Sequence, residues 1–311
     1  MQTGRLILAF AALVACTGLD LFGYNPDAFA ARKRGMEAFE KGDYDVALKE
    51  LGEVVRLDPK DANAYFTRGY IWMKKGDPSR AVIELDQAIR VDPGYADAHY
   101  LRARALSERN DLDGAIAGFS EVIRIDPKYA KAYYSRGLVW MRKGEAARAV
   151  ADMDQVIRFN PNDRDALYAR AVALSLKSDI DGAIEAFTEV LRLDSKDSKS
   201  YSARGDMWMR KGDARRALAD AEQAIRLDPK LANAHFLRAH ILRSRNDVDG
   251  AIAGYSEVIR LDPKYGTAYV GRGDLYEFKG DCPKAIADRE AARRIDPNAE
   301  KRYGSTRKRT C

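Results

Sequence analysis

The sequence predicts an all-α fold, a linear stack of helical hairpins (an α-solenoid), and three observations carry that prediction. Proline recurs at Pro59, Pro93, Pro127, Pro161, Pro229, Pro263 and Pro297, a grid of 34 residues broken only at Ser195. Inside each interval apolar residues recur twice at helical spacing, as across 64–75 and again across 81–91. The phrase IWMKKGD (71–77) returns as VWMRKGE (139–145) and MWMRKGD (207–213), with an echo LYEFKGD (275–281), so a period of 68 lies over the period of 34. Repetition this strict, without insertions, means a stacked array in place of a globular core.

The elements follow in chain order. Residues 1–15 read as a signal peptide: MQTGR carries one positive charge and LILAFAALVA (6–15) is apolar but too short to span a bilayer. Cleavage has two candidate places. One is the small-residue site AFA at 28–30, which would need a long polar segment before it. The other is LVAC, Leu13–Cys16, which ends the apolar run directly and resembles the lipobox of bacterial lipoproteins. That resemblance implies lipidation of Cys16, and two or more acyl chains would hold the protein at a membrane. Residues 16–27 are then a linker. The remaining cysteines, Cys282 and Cys311, allow one pairing, and sequence alone does not show that they meet.

Eight units occupy 28–61, 62–95, 96–129, 130–163, 164–197, 198–231, 232–265 and 266–299. In each, the fifteenth position is Gly42, Gly76, Asn110, Gly144, Gly212, Asn246 or Gly280, types that close a helix in the left-handed conformation, with Ser178 the exception. The next position is Asp, or Glu145 in the fourth unit, read as a cap for the second helix. Proline at position 32 stops that helix. Position 20 is alanine in all eight units, position 8 is glycine or alanine, and position 27 is alanine or valine. These residues resemble the tetratricopeptide repeat, and the resemblance covers 28–299. It implies a right-handed superhelix whose first helices line a groove through positions 2, 5, 9, 12 and 13. One uniform departure is arginine at position 7, Arg34 through Arg272. Its stem is expected to pack between helices while its guanidinium pairs with a nearby carboxylate or helix-end carbonyl.

The 68-residue period makes a two-repeat module. Position 11 is Trp72, Trp140, Trp208 or Tyr276 in even units and Leu106, Leu174 or Leu242 in odd ones from the third onward. Large rings beside Gly69, Gly137 and Gly205, alternating with leucine beside alanine, suggest volume-balanced packing, with the tryptophans in the core. The stack is expected to end at unit 8, where positions 24 and 28 become Arg289 and Arg293 and would make the docking side polar. Residues 300–311 form a basic tail with five Lys/Arg against one Glu. It supplies +4 of the formal +6, so the body is nearly neutral, unlike a nucleic-acid binder.

The candidate site is the groove. Phe66, Tyr100, Tyr134, Tyr168 and Phe236 hold position 5, interrupted by Ser202. Met73-Lys74, Met141-Arg142 and Met209-Arg210 hold positions 12 and 13 of even units. Rings, adaptable methionines and spaced cations suit an extended peptide with apolar and acidic residues. The competing reading is that the rings pack against neighbouring repeats. The carboxylate grip of chaperone-binding members is not expected, because positions 5 and 9 of the first unit are Arg32 and Met36. His99 and His235 share one repeat position and read as packing residues, and His240 lies off metal-ligand spacing. No catalytic motif, cofactor, metal, nucleic acid or small-molecule substrate is expected. The predicted function is a non-catalytic scaffold binding a protein or peptide at the bacterial cell envelope. The alternatives are a soluble cytoplasmic co-chaperone-like protein and a soluble periplasmic scaffold cleaved after Ala30.

Overall fold

The computed structural model describes residues 25–299 and Lys301. Among the described residues it contains sixteen α-helices and no strand. They run α1 (Pro26–Glu40), α2 (Tyr44–Leu57), α3 (Ala62–Lys74), α4 (Pro78–Val91), α5 (Ala96–Glu108), α6 (Leu112–Ile125), α7 (Ala130–Arg142) and α8 (Ala146–Phe159). They continue as α9 (Arg164–Leu176), α10 (Ile180–Leu193), α11 (Ser198–Arg210), α12 (Ala214–Leu227), α13 (Ala232–Ser244), α14 (Val248–Leu261), α15 (Gly266–Phe278) and α16 (Cys282–Ile295). The chain forms two compact units that divide between Val139 and Trp140. Each is a solenoid of helical hairpins, two helices to each 34-residue repeat. The first helix begins two residues earlier than the repeat grid places it. Asn25 caps it through its side-chain oxygen, which accepts from the backbone N–H of Asp27 and Ala28.

The turn chemistry is as the sequence reads, with two exceptions. Seven aspartates at position 16 cap their second helices, as Asp77 accepts from the Arg80 N–H at 2.9 Å. Glu145 does not cap: its longer side chain turns toward Arg148. Ser178, the residue without an obvious helix-closing conformation, adopts φ 65° beside Asn110 and Asn246 at 62°. The repeat geometry imposes the left-handed turn on a side chain that disfavours it.

Alanine 20 is fully buried in all eight repeats, from Ala47 to Ala285. There the two helices of a hairpin cross, and a larger side chain would have nowhere to go. Position 8 faces the partner helix nearby. A Cβ built on Gly69 would come 2.6 Å from Leu85 Cγ, and one on Gly273 would sit 3.3 Å from Asp288 Cβ. In the third and seventh repeats the glycine moves across the interface: Ala103 and Ala239 are matched by Gly118 and Gly254, whose added Cβ would lie 2.8 Å from the alanine methyl. The volume balance is therefore between positions 8 and 23–24, not between glycine 8 and tryptophan 11. The tryptophans are half-buried at the edge of the core. Each has a position-19 arginine over its ring: Arg80 over Trp72 at 4.6 Å, Arg148 over Trp140 at 4.6 Å, Arg216 over Trp208 at 4.5 Å.

Arginine 7 pairs with carboxylates, as expected, and in two ways that alternate. Arg204 and Arg272 make bidentate pairs with the buried Asp220 and Asp288 of their own repeats at 2.7–2.8 Å, and donate to Thr188 and Ser256 of the preceding one. Arg102 and Arg170 instead reach back to Asp86 and Asp154 of the preceding even repeat. Even repeats supply acids at positions 23 and 25, so each arginine stitches either within or between hairpins. A second alternation lies outside: Lys75 pairs with Asp45 at 2.7 Å and Lys279 with Asp249 at 2.6 Å, each bridging to the preceding odd repeat.

The end of the array differs from expectation. Arg289 does not face outward. It is 6% exposed and lies against Asp274 and Glu277 of α15, and Asp274 also pairs with Arg243. Position 24 points into its own hairpin, so the arginine replaces a core residue by a buried ion network, and only Arg293 is exposed. Cys282, at the start of α16, is disulfide-bonded. Cys16, Cys311 and nearly all of the signal, linker and tail assignments lie outside the described residues.

Two outcomes test these packing assignments. Ser178→Gly relieves the left-handed strain and should raise stability by about 1 kcal/mol in urea unfolding. Asp274→Ala strands buried cations and should destabilise the last hairpin by roughly 3–5 kcal/mol, read as lost hydrogen-exchange protection in α15 and α16.

Candidate functional site

First helices carry the candidate residues, at positions 2, 5, 9, 12 and 13, and the ring at position 5 also reaches the second helix of its own repeat. In the unit ending at Val139, Phe66, Tyr100 and Tyr134 are all half-buried. Two of them are held by a tyrosine at position 34 of the same repeat: Phe66 lies 5.1 Å from Tyr95 and Tyr100 lies 5.4 Å from Tyr129. Those tyrosines reach across to position 2, Tyr95 donating to Asn63 Oδ1 at 2.9 Å and Tyr129 to Asp97 Oδ1 at 2.5 Å. Tyr100 also touches the core ring Phe119 at 5.6 Å and shares a hydrogen bond with Ser135. The rings thus pack against neighbouring side chains and remain partly open. Met73 packs against the core, whereas Lys74 is exposed with its ammonium 5.3 Å from the Tyr70 ring. Arg32 is engaged with Asp61.

His99 and His235 are packing residues: each ring Nε2 lies 2.9–3.0 Å from the carbonyl of Pro93 or Pro229. Tyr133 and Tyr269, at the same position, make the corresponding bond to Pro127 and Pro263.

In the unit beginning at Trp140, Met209 packs into the core while Arg142 and Arg210 are exposed and Met141 is half-buried. Arg210 donates to the Ser175 carbonyl at 3.3 Å. Tyr168 and Phe236 come together on opposite walls of a cleft of about 420 Å³. Its opening has a local cause. Ser202 holds the position where other repeats place a ring, and Leu231 holds the position of Tyr95 and Tyr129, so the ring series has a gap. Tyr265 closes one side, stacked on Phe236 at 5.1 Å and hydrogen-bonded to Asn233 at 3.0 Å. Lys199 and Asn233 stand at the rim, and the lining includes Asp206 and His240, the ninth residues of adjacent repeats.

The polar groups of this cleft are perturbed. Asp206 is open to the cleft, but loss of water raises its carboxyl above the usual range against the pull of Arg210 and His240. The same desolvation, with Arg243 nearby, lowers His240, and Asp206 only partly offsets it. Tyr265 is pushed up to about 12, first by burial and then by Asp206 and Asp262. Sequence reasoning singled out Tyr168 and Phe236, set His240 aside as off metal-ligand spacing, and passed over Asp206 and Tyr265. The signal for them was the interruption at Ser202 together with an acid at position 9. Among the described residues no cluster of His, Cys, Asp and Glu could hold a metal, and no helix is long and apolar enough to cross a membrane.

The tetratricopeptide repeat profile matches residues 32–96, 73–130, 100–163 and 134–198, and a second TPR repeat profile matches 239–280. A search of curated protein sequences gives no significant match. Among solved structures, the MamA protein is 26% identical, over 56% of this chain and 94% of that one, with a TM-score of 0.53. YrrB, described as a TPR protein with an unusual peptide-binding site, is 20% identical over 59% of this chain and 95% of its own, with a TM-score of 0.54. The C-terminal part of a TPR repeat-containing protein from Cytophaga hutchinsonii reaches a TM-score of 0.65 at 17% identity, over 77% and 98% of the two chains. The last two likenesses are of fold alone.

His240 provides the test of the cleft's electrostatics. Its folded pKa should lie below the ordinary value of about 6.5, and Asp206→Asn should lower it further, read from ring-proton shifts in an NMR titration. Because the folded value is depressed, His240 contributes stability present above its unfolded pKa and lost as pH falls through the folded one.

Proposed function

The chain belongs to the tetratricopeptide repeat family, a fold that serves as a protein-interaction scaffold, and we propose that this protein is a non-catalytic adaptor of the bacterial cell envelope. It holds a partner protein or peptide on the first-helix face. The observation that carries the binding reading is the row of half-open rings, Phe66 and Tyr100 backed by Tyr95 and Tyr129, with exposed Lys74 on the same face. Rings already fixed by their neighbours lose little conformational freedom when a partner packs on them, which favours association.

The envelope reading rests on the N-terminal sequence and on where the first helix starts. Cleavage after Ala30 would remove the Asn25 cap and the first turn of α1, and would cut beside Ala31, which is fully buried. Processing before Cys16 leaves α1 whole and a short tether to a lipid anchor. The folded structure thus favours the lipobox over the AFA site.

Two measurements test the proposal. Intact mass of the mature protein from native membranes should show a chain starting at Cys16 with added acyl mass, absent from Cys16→Ala. A start at Met1 would move the protein to the cytoplasm, and a start at Ala31 would make it a soluble periplasmic scaffold. Phe66→Ala with Tyr134→Ala should weaken capture of membrane-fraction partners while helical content by circular dichroism is kept, on the order of 1–3 kcal/mol for each ring that acts as an anchor. Undiminished capture would remove the groove from the binding site.

A further inference from the structure

The cleft between Tyr168 and Phe236 has a feature that packing does not explain. Asp206 and Asp274 occupy the same place in successive two-repeat modules, 68 residues apart. Asp274 is buried and paired with Arg243, the twelfth residue of the repeat before it, at 3.2 Å. The residue equivalent to Arg243 for Asp206 is Ser175, which brings no charge. Arg210, the nearest guanidinium on the same helix, donates instead to the Ser175 carbonyl. Among the described residues Asp206 makes no salt bridge, and its cationic neighbours act on it through space. Asp206 is thus an exposed carboxylate without a paired cation among the described residues. Here it lies in a cleft walled by three aromatic rings, beside a serine where another ring would have filled the space.

We propose that this cleft receives the basic side chain of a partner peptide, arginine above lysine, with Asp206 as counter-ion and Tyr168, Phe236 and Tyr265 as walls. The proposal rests on the reading of the first-helix face as a peptide-binding surface and names what one position of that peptide carries. The incoming cation completes the ion pair that Arg243 completes at Asp274. A planar guanidinium suits both the carboxylate and the ring faces. The cleft volume of about 420 Å³ has room for one such side chain with its stem. Lys199 at the rim opposes a second cation, so the fitting segment has a single basic residue among neutral or acidic neighbours, not a polybasic run. Desolvation lowers the His240 pKa, so the carboxylate is the charge that decides.

The test uses the full chain and two blocked pentapeptides, acetyl-Gly-Gly-Arg-Gly-Gly-amide and its leucine counterpart, followed by titration of the His240 and tyrosine ring signals. The arginine peptide should bind about tenfold more tightly than the leucine peptide, the scale of one charge-assisted contact. Asp206→Asn should remove that difference. Ser202→Phe, which restores the ring found in other repeats, should abolish binding of both peptides with the fold kept. Equal binding of the two peptides, or an arginine preference that survives Asp206→Asn, overturns the proposal. Partner capture keeps the two readings apart. Capture lost in the Phe66/Tyr134 variant but retained in Asp206→Asn and Ser202→Phe would leave the groove reading standing and sink the cleft. An arginine preference in the peptides with capture unaffected by Phe66 and Tyr134 would do the reverse.

Discussion

The close crossing of the two helices in each hairpin is the constraint on which the rest depends. Alanine at position 20 is buried without exception, and glycine or alanine faces the partner helix from position 8 or 23. At such a crossing even one added methylene strains the packing, at roughly 1–3 kcal/mol. Once the helices are this close, the residues around the contact are fixed in type. The turn between them must pass through a left-handed residue, and the next residue is best placed to cap the second helix. Within each unit the hairpins repeat that solution because a hairpin alone cannot bury its apolar face, and stacking supplies the missing contact.

The period of 68 arises from charge and volume acting together. An arginine at position 7 of every repeat needs a carboxylate, and the crossing leaves space for one at position 23 only where position 8 is glycine. Even repeats meet that condition: Gly205 with Asp220, Gly273 with Asp288. Odd repeats from the third onward carry alanine at position 8 and a small residue at position 23, so Arg102 and Arg170 take their counter-ion from the preceding even repeat, whereas the first repeat has Gly35 and pairs Arg34 with its own Glu50. Trp72, Trp140 and Trp208 belong to the same alternation. Each covers the edge of an even hairpin and is itself covered by an arginine that odd repeats from the third onward replace with glycine. The buried network at Arg289 is a terminal variant of the scheme, in which a charged residue occupies a core position because α15 supplies two carboxylates.

Against this regularity, the departures concentrate at one place. Ser202 interrupts the rings, Leu231 replaces a bracing tyrosine, and Ser175 removes the cation that would neutralise Asp206. Each change alone lowers packing or charge compensation. Together they open a cleft whose polar groups are shifted from their ordinary protonation behaviour. Sites where local rules fail in concert are where function is expected to draw on stability.

The two helices per 34 residues, the caps at the seven aspartates and the arginine pairing were legible from the sequence, because each is set by local periodicity or by one residue type at a fixed spacing. The left-handed turn at Ser178 was not, since the hairpin geometry overrides a side chain's own preference. Nor was the inward direction of Arg289, which depends on Asp274 and Glu277 being brought to it by a neighbouring helix. The candidate rings could be named from their position in the repeat, but whether they stand open or packed depends on Tyr95, Tyr129 and Tyr265 reaching back across a hairpin. The sequence by itself determined that this chain is a stack of paired repeats presenting rings and cations on its first helices. Only the tertiary structure decided that Asp206 and His240 share a cleft with two of those rings, Tyr168 and Phe236, and with Tyr265. Residues in separate repeats are joined by packing, and no spacing along the chain reports the space left between them.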